Sequence, residues 1–132
     1  MKNRVFLGGT CAETTWRDKL SAALDVDYFN PVVEDWTPEC QAYEEVEKHT
    51  YCNIHLYVIT ADMIGVFSIA EAIESVMTAC KQTVFHVIPE GFSKSQLKSL
   101  SAVCEMVLKH GGIAYIDSDL HRSARVLNYC FK

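Results

Sequence analysis

The sequence predicts an α/β fold built on a parallel sheet, and three observations support this prediction. Short β-rich segments alternate along the whole chain with segments whose apolar residues recur at helical spacing. No repeat, low-complexity stretch or linker divides the chain. Apolar residues make up 49% of the 132 residues and charged residues 22%, a balance that excludes a disordered chain and allows one buried core.

Five strands and five helices follow from these patterns. The strands are predicted at 4–8, 28–33, 54–60, 83–88 and 113–116. Apolar side chains at helical spacing mark the helices between and after them: Trp16, Leu20, Ala23 and Leu24; Cys40, Tyr43 and Val46; Ile69, Ile73, Val76, Met77 and Cys80; Leu97, Leu100, Cys104, Val107 and Leu108; Leu120, Ala124, Leu127 and Phe131. Thr37 and Pro38 open the second helix as N-cap and first-turn proline, and Gly111 with Gly112 ends the fourth.

Strict alternation of strands and helices implies a parallel sheet with helices on both faces. We therefore expect a flavodoxin-like three-layer sandwich whose five strands have the order 2-1-3-4-5. The chain is expected to form a single domain over residues 1–132. In such sheets ligands bind beyond the carboxyl ends of the strands, at the switch point between strands 1 and 3.

Charge and composition narrow the classes of partner. The chain has 12 basic and 17 acidic side chains, a net charge of −5 and no basic stripe, which excludes a nucleic acid polymer as partner. Its densest charge is acidic and is interpreted as a solvated helix face, comprising Glu34, Asp35, Glu39, Glu44, Glu45 and Glu47. No apolar run approaches the roughly 18–20 residues of a membrane span, and the first apolar segment is too short for a signal peptide.

The six cysteines and five histidines show no metal-ligand spacing, and no C-x-x-C pair is present. Several cysteines fall on apolar helix positions, where cysteine behaves as a small hydrophobic residue. We therefore expect no metal site, and a reduced protein in the cytoplasm.

The first segment at the expected ligand edge comprises Gly8, Gly9 and Thr10, directly after strand 1. Paired glycines let backbone N–H groups approach a ligand closely, although they also suit a plain tight turn. Cys11 and Arg17 in the same loop have the spacing of cysteine phosphatases. That alternative lacks an internal glycine to cradle phosphate, and short motifs of this kind match by chance.

The second segment runs from strand 3 through a loop with Asp62, Met63 and Gly65 into the third helix. Glu71 is predicted in the first turn of that helix, where the helix dipole favours an ionised carboxylate that can act as a nucleophile. Ser68 and Glu71 equally fit a capping box, and the residues alone leave both interpretations open. Asp62 is either an acid of the site or a turn former.

The loop after strand 2 carries Asp35 and Trp36 near the same edge of the sheet. The indole of Trp36 either stacks on a planar base or forms a hydrophobic staple across Thr37 at the helix entrance. The residues do not separate these two interpretations.

Four blocks of the sequence together resemble the nucleoside 2-deoxyribosyltransferase-like family. They read VFLGGT at 5–10, TWR at 15–17, YFNPVVxDW at 28–36 and LYVITxxMxGVxSIAE at 56–71, and the resemblance covers about residues 4–90. It implies a flavodoxin-like homo-oligomer that acts on the N-glycosidic bond of a nucleoside or nucleotide by transfer or hydrolysis, with no cofactor. It also implies that Glu71 is the nucleophile and forms a glycosyl ester.

The resemblance further implies roles for the surrounding loops. Asp62 or Asp35 is the candidate acid, and substrate binding is assigned to Gly8, Gly9, Thr10, Asp35, Trp36, Met63 and Gly65. Family members that act on monophosphates carry serine and arginine after the glycine of strand 1 and another serine near Met63, so an unphosphorylated nucleoside or another ribosyl compound is expected here. Asn53 stands where the family often has aspartate, which favours the alternative of a non-catalytic protein that binds a nucleoside- or nucleotide-derived ligand.

Overall fold

A computed structural model describes residues 2–11, 15–33 and 37–132. Within them the strands are β1 (Arg4–Gly9), β2 (Asp27–Phe29), β3 (Ile54–Ile59), β4 (Gln82–Val87) and β5 (Ile113–Ile116). They form one sheet in the order β2-β1-β3-β4-β5, and every neighbouring pair is parallel. The predicted fold class and strand order are confirmed.

The same residues form the helices α1 (Trp16–Ser21), α2 (Pro38–Val46), α3 (Phe67–Met77), α4 (Lys94–Lys109) and α5 (His121–Phe131). The chain continues from α2 into a π-helical segment at Glu47–Tyr51, called the π turn below. As predicted, Thr37 caps α2 by accepting a hydrogen bond from the Cys40 N–H at 3.2 Å. None of the described helices is long and apolar enough to cross a membrane.

The helices cover both faces of the sheet, and β3 lies at its centre. All six residues of β3 are buried, so its alternating side chains serve two separate cores. Leu56 and Val58 pack in the core with residues of α1 and α5, whereas Tyr57 and Ile59 pack in the core with residues of α3 and α4.

The second strand is shorter than predicted, because β2 ends at Phe29 rather than continuing through residue 33. It is an edge strand paired only with β1. Pro31 has no N–H to donate to a ladder, and the side chain of Asn30 accepts a hydrogen bond from the Val32 N–H at 3.0 Å. Residues 30–33 therefore leave the sheet and become available to the site.

The carboxyl ends of β1 and β3 approach each other too closely for side chains. Gly9 has φ +117°, and a Cβ at this position would lie 2.1 Å from the carbonyl oxygen of Val58. The Thr10 N–H donates to that carbonyl at 2.9 Å, and the Thr60 N–H donates to Thr10 Oγ1 at 2.9 Å. These contacts fix the starts of the two loops that border the site.

A buried polar chain connects β3, α3 and β4 to the π turn. His55 Nε2 donates to the Lys48 carbonyl at 2.8 Å, because a carbonyl can only accept. Nδ1 of the neutral ring then accepts from the Ser75 hydroxyl at 2.8 Å, and that hydroxyl lies 2.7 Å from Thr83 Oγ1. Burial lowers the pKa of His55 to about 4, so the ring is neutral near pH 7. The neutral ring holds the π turn through its hydrogen bond to the Lys48 carbonyl.

Gly9→Ala is expected to lower the free energy of unfolding by about 3 kcal/mol. The new Cβ would meet the Val58 carbonyl, and an L-residue is strained at this φ. Urea denaturation followed by circular dichroism measures the change. Gly65→Ala is the matched control, since a Cβ there meets no atom within 4 Å, and it should change stability by less than about 0.5 kcal/mol. An equal decrease in the free energy of unfolding of the two variants would show that the close contact at Gly9 is not the cause.

His55 is expected to make the free energy of unfolding depend on pH. Its contribution should fall by about 1.4 kcal/mol for each pH unit as the pH drops from about 6.5 to about 4. In this window the unfolded chain binds a proton at His55 and the folded chain does not. Urea denaturation at a series of pH values should give a shallower dependence for His55→Gln. Parallel curves for the two proteins would show that His55 is protonated in the folded state.

Candidate active site

A cavity of about 530 Å³ opens at the carboxyl edge of the sheet, where the chain leaves β1 and β3 in different directions. Its volume is in the range of sites that hold small molecules. The described residues that line it come from the loops after β1, β2 and β3 and from α2 and α3: Gly9, Thr10, Cys11, Pro31, Val32, Val33, Gln41, Glu44, Glu45, Met63, Ile64, Gly65, Phe67, Ser68 and Glu71.

Glu71 brings a carboxylate to this cavity from the second turn of α3. The helix begins at Phe67 with Val66 as N-cap, and no side chain caps it. Ser68 is therefore already inside the helix, so the capping box does not form and Glu71 does not lie in the first turn as predicted. Freed from a capping role, the Glu71 side chain is 13% exposed and borders the cavity.

The Glu71 carboxylate forms an ion pair with Lys48, whose Nζ donates to Oε2 at 2.8 Å. Lys48 belongs to the π turn, and its side chain is only 3% exposed. Its Nζ also donates to Glu45 Oε1 at 3.2 Å and lies 5.8 Å from the centre of the Phe6 ring. Burial disfavours the ammonium, but the hydrogen bonds and charges of Glu71 and Glu45 outweigh it and raise the pKa of Lys48.

The two oxygens of Glu71 have different surroundings. Oε2 accepts the hydrogen bond from Lys48, whereas Oε1 has no hydrogen-bond partner among the residues that the structure describes. One oxygen is therefore held by a cation while the other is available to a ligand in the cavity.

Three members of the acidic cluster do not form the solvated helix face interpreted from the sequence, whereas Glu39 is exposed on α2, and Glu34 and Asp35 lie outside the described residues. Glu44 and Glu45 border the cavity from α2, and Glu47 is buried with its Oε2 3.2 Å from the Nε of Arg4. Although burial acts against it, hydrogen bonds and charges from Lys48 and His49 lower the pKa of Glu45. No lysine or arginine occurs among the described residues that line the cavity, which is consequently acidic.

Four of the residues assigned to substrate binding lie on the cavity wall, namely Gly9, Thr10, Met63 and Gly65. Asp62 is exposed on the loop after β3 and is not among the described residues that line the cavity. Asp35 and Trp36 lie outside the described residues. The structure thus brings the loops after β1 and β3 together around Glu71.

Gly8 lies within β1 and serves packing. A Cβ at Gly8 would lie 2.6 Å from Cε1 of Tyr57, so the glycine makes room for that ring. The Tyr57 hydroxyl is buried without a hydrogen-bond partner among the described residues. Burial, followed by the negative charge of Glu71, raises the pKa of Tyr57, and the phenol therefore stays neutral.

Arg17 is committed to the backbone of β1 and the loop after it. Its guanidinium donates to the carbonyls of Leu7, Thr10 and Gly9 at 2.8, 2.7 and 3.2 Å, and it is buried. Its Nη2 also lies 3.6 Å from the Cys11 sulfur. A guanidinium with these partners is not available to clamp phosphate, so the geometry does not support the phosphatase alternative.

Asn53 lies at the edge of the sheet opposite to the cavity. It precedes β3, where its Oδ1 accepts from the Arg4 N–H at 2.9 Å and its Nδ2 donates to Asn3 Oδ1 at 2.8 Å. The length of β3, about 20 Å at roughly 3.3 Å per residue, separates it from the carboxyl edge. An amide at this position therefore fastens two strands together and does not remove a proton donor from this cavity.

Sequence reasoning missed Lys48 and the acidic wall of α2. The signal was present, because Glu44, Glu45 and Lys48 follow Gln41 by three, four and seven positions, the spacing of one helix face. That spacing is also typical of a solvated, charged helix, and nothing in the sequence marks the π turn that carries Lys48. No group of three or more potential metal ligands comes together among the described residues.

Comparison with protein families matches residues 2–92 to the family described as nucleoside 2-deoxyribosyltransferase like. Comparison with curated proteins finds no match. The matched range contains every described residue that lines the cavity. Beyond it, α4, β5 and α5 complete the sheet and its covering layers. The chain therefore belongs to the nucleoside 2-deoxyribosyltransferase-like family, a membership that supports a general role in nucleoside glycosyl transfer.

Proposed function

We propose that the protein acts on the N-glycosidic bond of an unphosphorylated 2-deoxynucleoside, with Glu71 as the nucleophile. The observation that carries this proposal is the Glu71 carboxylate itself, which borders a cavity of small-molecule size while one of its oxygens is held by Lys48. The cavity lies at the switch point where such folds bind ligands, and family membership supports the reaction class.

The reaction has two steps on the same carbon. In the first, Oε1 of Glu71 forms a bond to C1′ of the sugar while the C1′–N bond breaks and its electron pair leaves with the base. In the second, a nitrogen of another base or the oxygen of water attacks C1′ and gives up its proton to the carboxylate that protonated the departing base, and the ester bond to Glu71 breaks. The sugar is transferred or released, and the carboxylate is regenerated without a metal or organic cofactor.

The departing base needs a proton, and four carboxyl groups are candidates to supply it. Asp62 and Asp35 are the acids predicted from the sequence. Glu44 joins them because it borders the cavity from α2. Glu45 is the weakest choice, since its contacts with Lys48 and His49 favour the ionised form, which has no proton to give.

The charge of the cavity favours a substrate without a 5′-phosphate. Glu44, Glu45 and Glu71 contribute carboxylates to the wall, and the only lysine that contacts them among the described residues is buried behind Glu71. A phosphate would meet like charges with no lysine or arginine on the described wall to pair with it. A neutral nucleoside avoids this repulsion.

We also propose that the chain forms a homo-oligomer in solution, as the family resemblance implies. Three apolar side chains at the mouth of the cavity support this: Ile64, Val66 and Phe67 are 91%, 69% and 72% exposed. Apolar groups that cluster on a surface are typical of a contact with another chain. A second copy placed there would close the mouth and exclude water.

Glu71→Gln is expected to lower the release of free base from a 2-deoxynucleoside at least about a thousandfold, because an amide cannot form the glycosyl ester. Chromatography of reactions with a panel of deoxynucleosides, with and without a second base as acceptor, measures the effect. Glu74→Gln is the matched control, since Glu74 is exposed on the same helix and is not among the described residues that line the cavity.

Circular dichroism establishes that both variants are folded. Base release that persists in folded Glu71→Gln would contradict the role of Glu71. If the wild-type protein binds nucleosides but releases no base from any of them, the chain is a binding protein instead.

Deoxynucleosides are expected to react with a kcat/KM at least about tenfold higher than the corresponding 5′-monophosphates, because roughly 1.4 kcal/mol of repulsion in the acidic cavity is enough for this ratio. Parallel assays with matched pairs of substrates at one ionic strength give the ratio. A preference for the monophosphate would contradict the proposed substrate class.

A further inference from the structure

We infer that Lys48 is a positioning residue for Glu71, one that orients the carboxylate and stabilises it when the sugar departs. The inference rests on the proposed function, since it assigns a role within the two-step reaction. It concerns a residue that the sequence patterns did not select, and it follows from the contacts of the ammonium group.

The geometry of the ion pair orients the Glu71 carboxylate. Lys48 Nζ binds only one oxygen of Glu71, at 2.8 Å, and the lysine side chain is 3% exposed. A charge-assisted hydrogen bond of this length restricts the rotation of the carboxylate about its terminal torsion. Oε1, which has no partner among the described residues, is thereby presented as the oxygen that can reach C1′.

The segment that carries Lys48 is held rigidly in place. The π turn is closed by the Cys52 N–H, which donates to the Glu47 carbonyl at 2.8 Å. Lys81 Nζ donates to the carbonyls of His49 and Cys52 at 2.7 and 2.8 Å, and His55 holds the carbonyl of Lys48 itself. π-helical turns recur at functional sites, and this one is fixed by His55 of β3 and by Lys81, which directly precedes β4.

The charge of Glu71 changes during the two steps of the reaction. When Oε1 bonds to C1′, Glu71 becomes a neutral ester, and its attraction to the Lys48 ammonium weakens. When the acceptor attacks C1′, the electron pair of the Oε1–C1′ bond returns to Glu71, and the negative charge reappears beside the ammonium. Lys48 therefore stabilises the free carboxylate more than the ester, which favours the breakdown of the intermediate.

Glu45 completes the arrangement, because it accepts a second hydrogen bond from Lys48 at 3.2 Å. With two carboxylates around it, the ammonium remains charged in a buried place. Its charge is shared between Glu45 and Glu71, so Glu71 keeps enough negative charge to act as a nucleophile.

Lys48→Met is the variant that tests the inference, compared with Lys48→Arg and with the exposed control Lys98→Met. Steady-state release of base should show a kcat lower by about 10- to 100-fold in Lys48→Met, the loss expected for one charged hydrogen bond, with KM within about threefold of the wild type. Intact-protein mass spectrometry during turnover should show a larger fraction of chain that is heavier by one deoxyribosyl group. Lys48→Arg should recover most of the activity and lose the excess adduct, and Lys98→Met should match the wild type.

A merely structural role for Lys48 would not raise the fraction of glycosylated chain. A folded Lys48→Met with kcat within threefold of the wild type overturns the inference, and so does a lower kcat without a rise in adduct. Lys48→Gln replaces Lys48→Met if the latter does not fold. These outcomes differ from a failure of the proposed function, in which the wild-type protein itself releases no base and Glu71→Gln changes nothing.

Discussion

A buried ammonium group needs acceptors around it, and the arrangement of the site follows from this requirement. Lys48 is held between helix α3 and helix α2, with Glu71 on one side and Glu45 on the other. Without these partners the lysine would lose its charge or turn to solvent, because an isolated ion is costly to bury. The pair therefore fixes the distance between two helices that both border the cavity.

The sheet supplies the second constraint, at the point where β1 and β3 separate. Gly9 and Thr10 join the two strands so tightly that no side chain fits between them. The loops that follow must diverge from this fixed point, one toward α1 and the other toward α3. The cavity is the space between them, and β2 contributes by ending early, so that Pro31 and Val32 reach its wall.

The fold could be predicted from the sequence because its signals are local. Alternating apolar patterns, the cap at Thr37 and the stop at Gly111 each depend on a few neighbouring residues, and the parallel sheet follows from their order. The site was predicted in part for the same reason, since the glycines after β1 and the loop after β3 are local features. Family resemblance, not residue physics, selected Glu71 over a helix cap.

Lys48 and Asn53 show where local reasoning ends. Lys48 faces Glu71 from a different element of the fold, and the two residues are 23 positions apart. Asn53 suggested a lost acid because the family often has aspartate at this position, yet it lies at the far edge of the sheet and fastens Arg4. The contacts of Lys48 and Asn53 both depend on how separate elements pack against each other. The periodicity of residues within one element does not encode that packing.

The chemistry of the pair also bears on whether the cavity only binds a ligand. Replacing a buried ion pair with apolar groups of similar volume is often neutral or stabilising, so stability alone does not require Lys48 and Glu71 in this place. A site that only recognised the hydroxyl groups of a neutral sugar could do so with amides, which carry no desolvated charge. A carboxylate held at one oxygen and open at the other is instead suited to forming and breaking a bond, and this is the physical reason for preferring glycosyl transfer to simple binding.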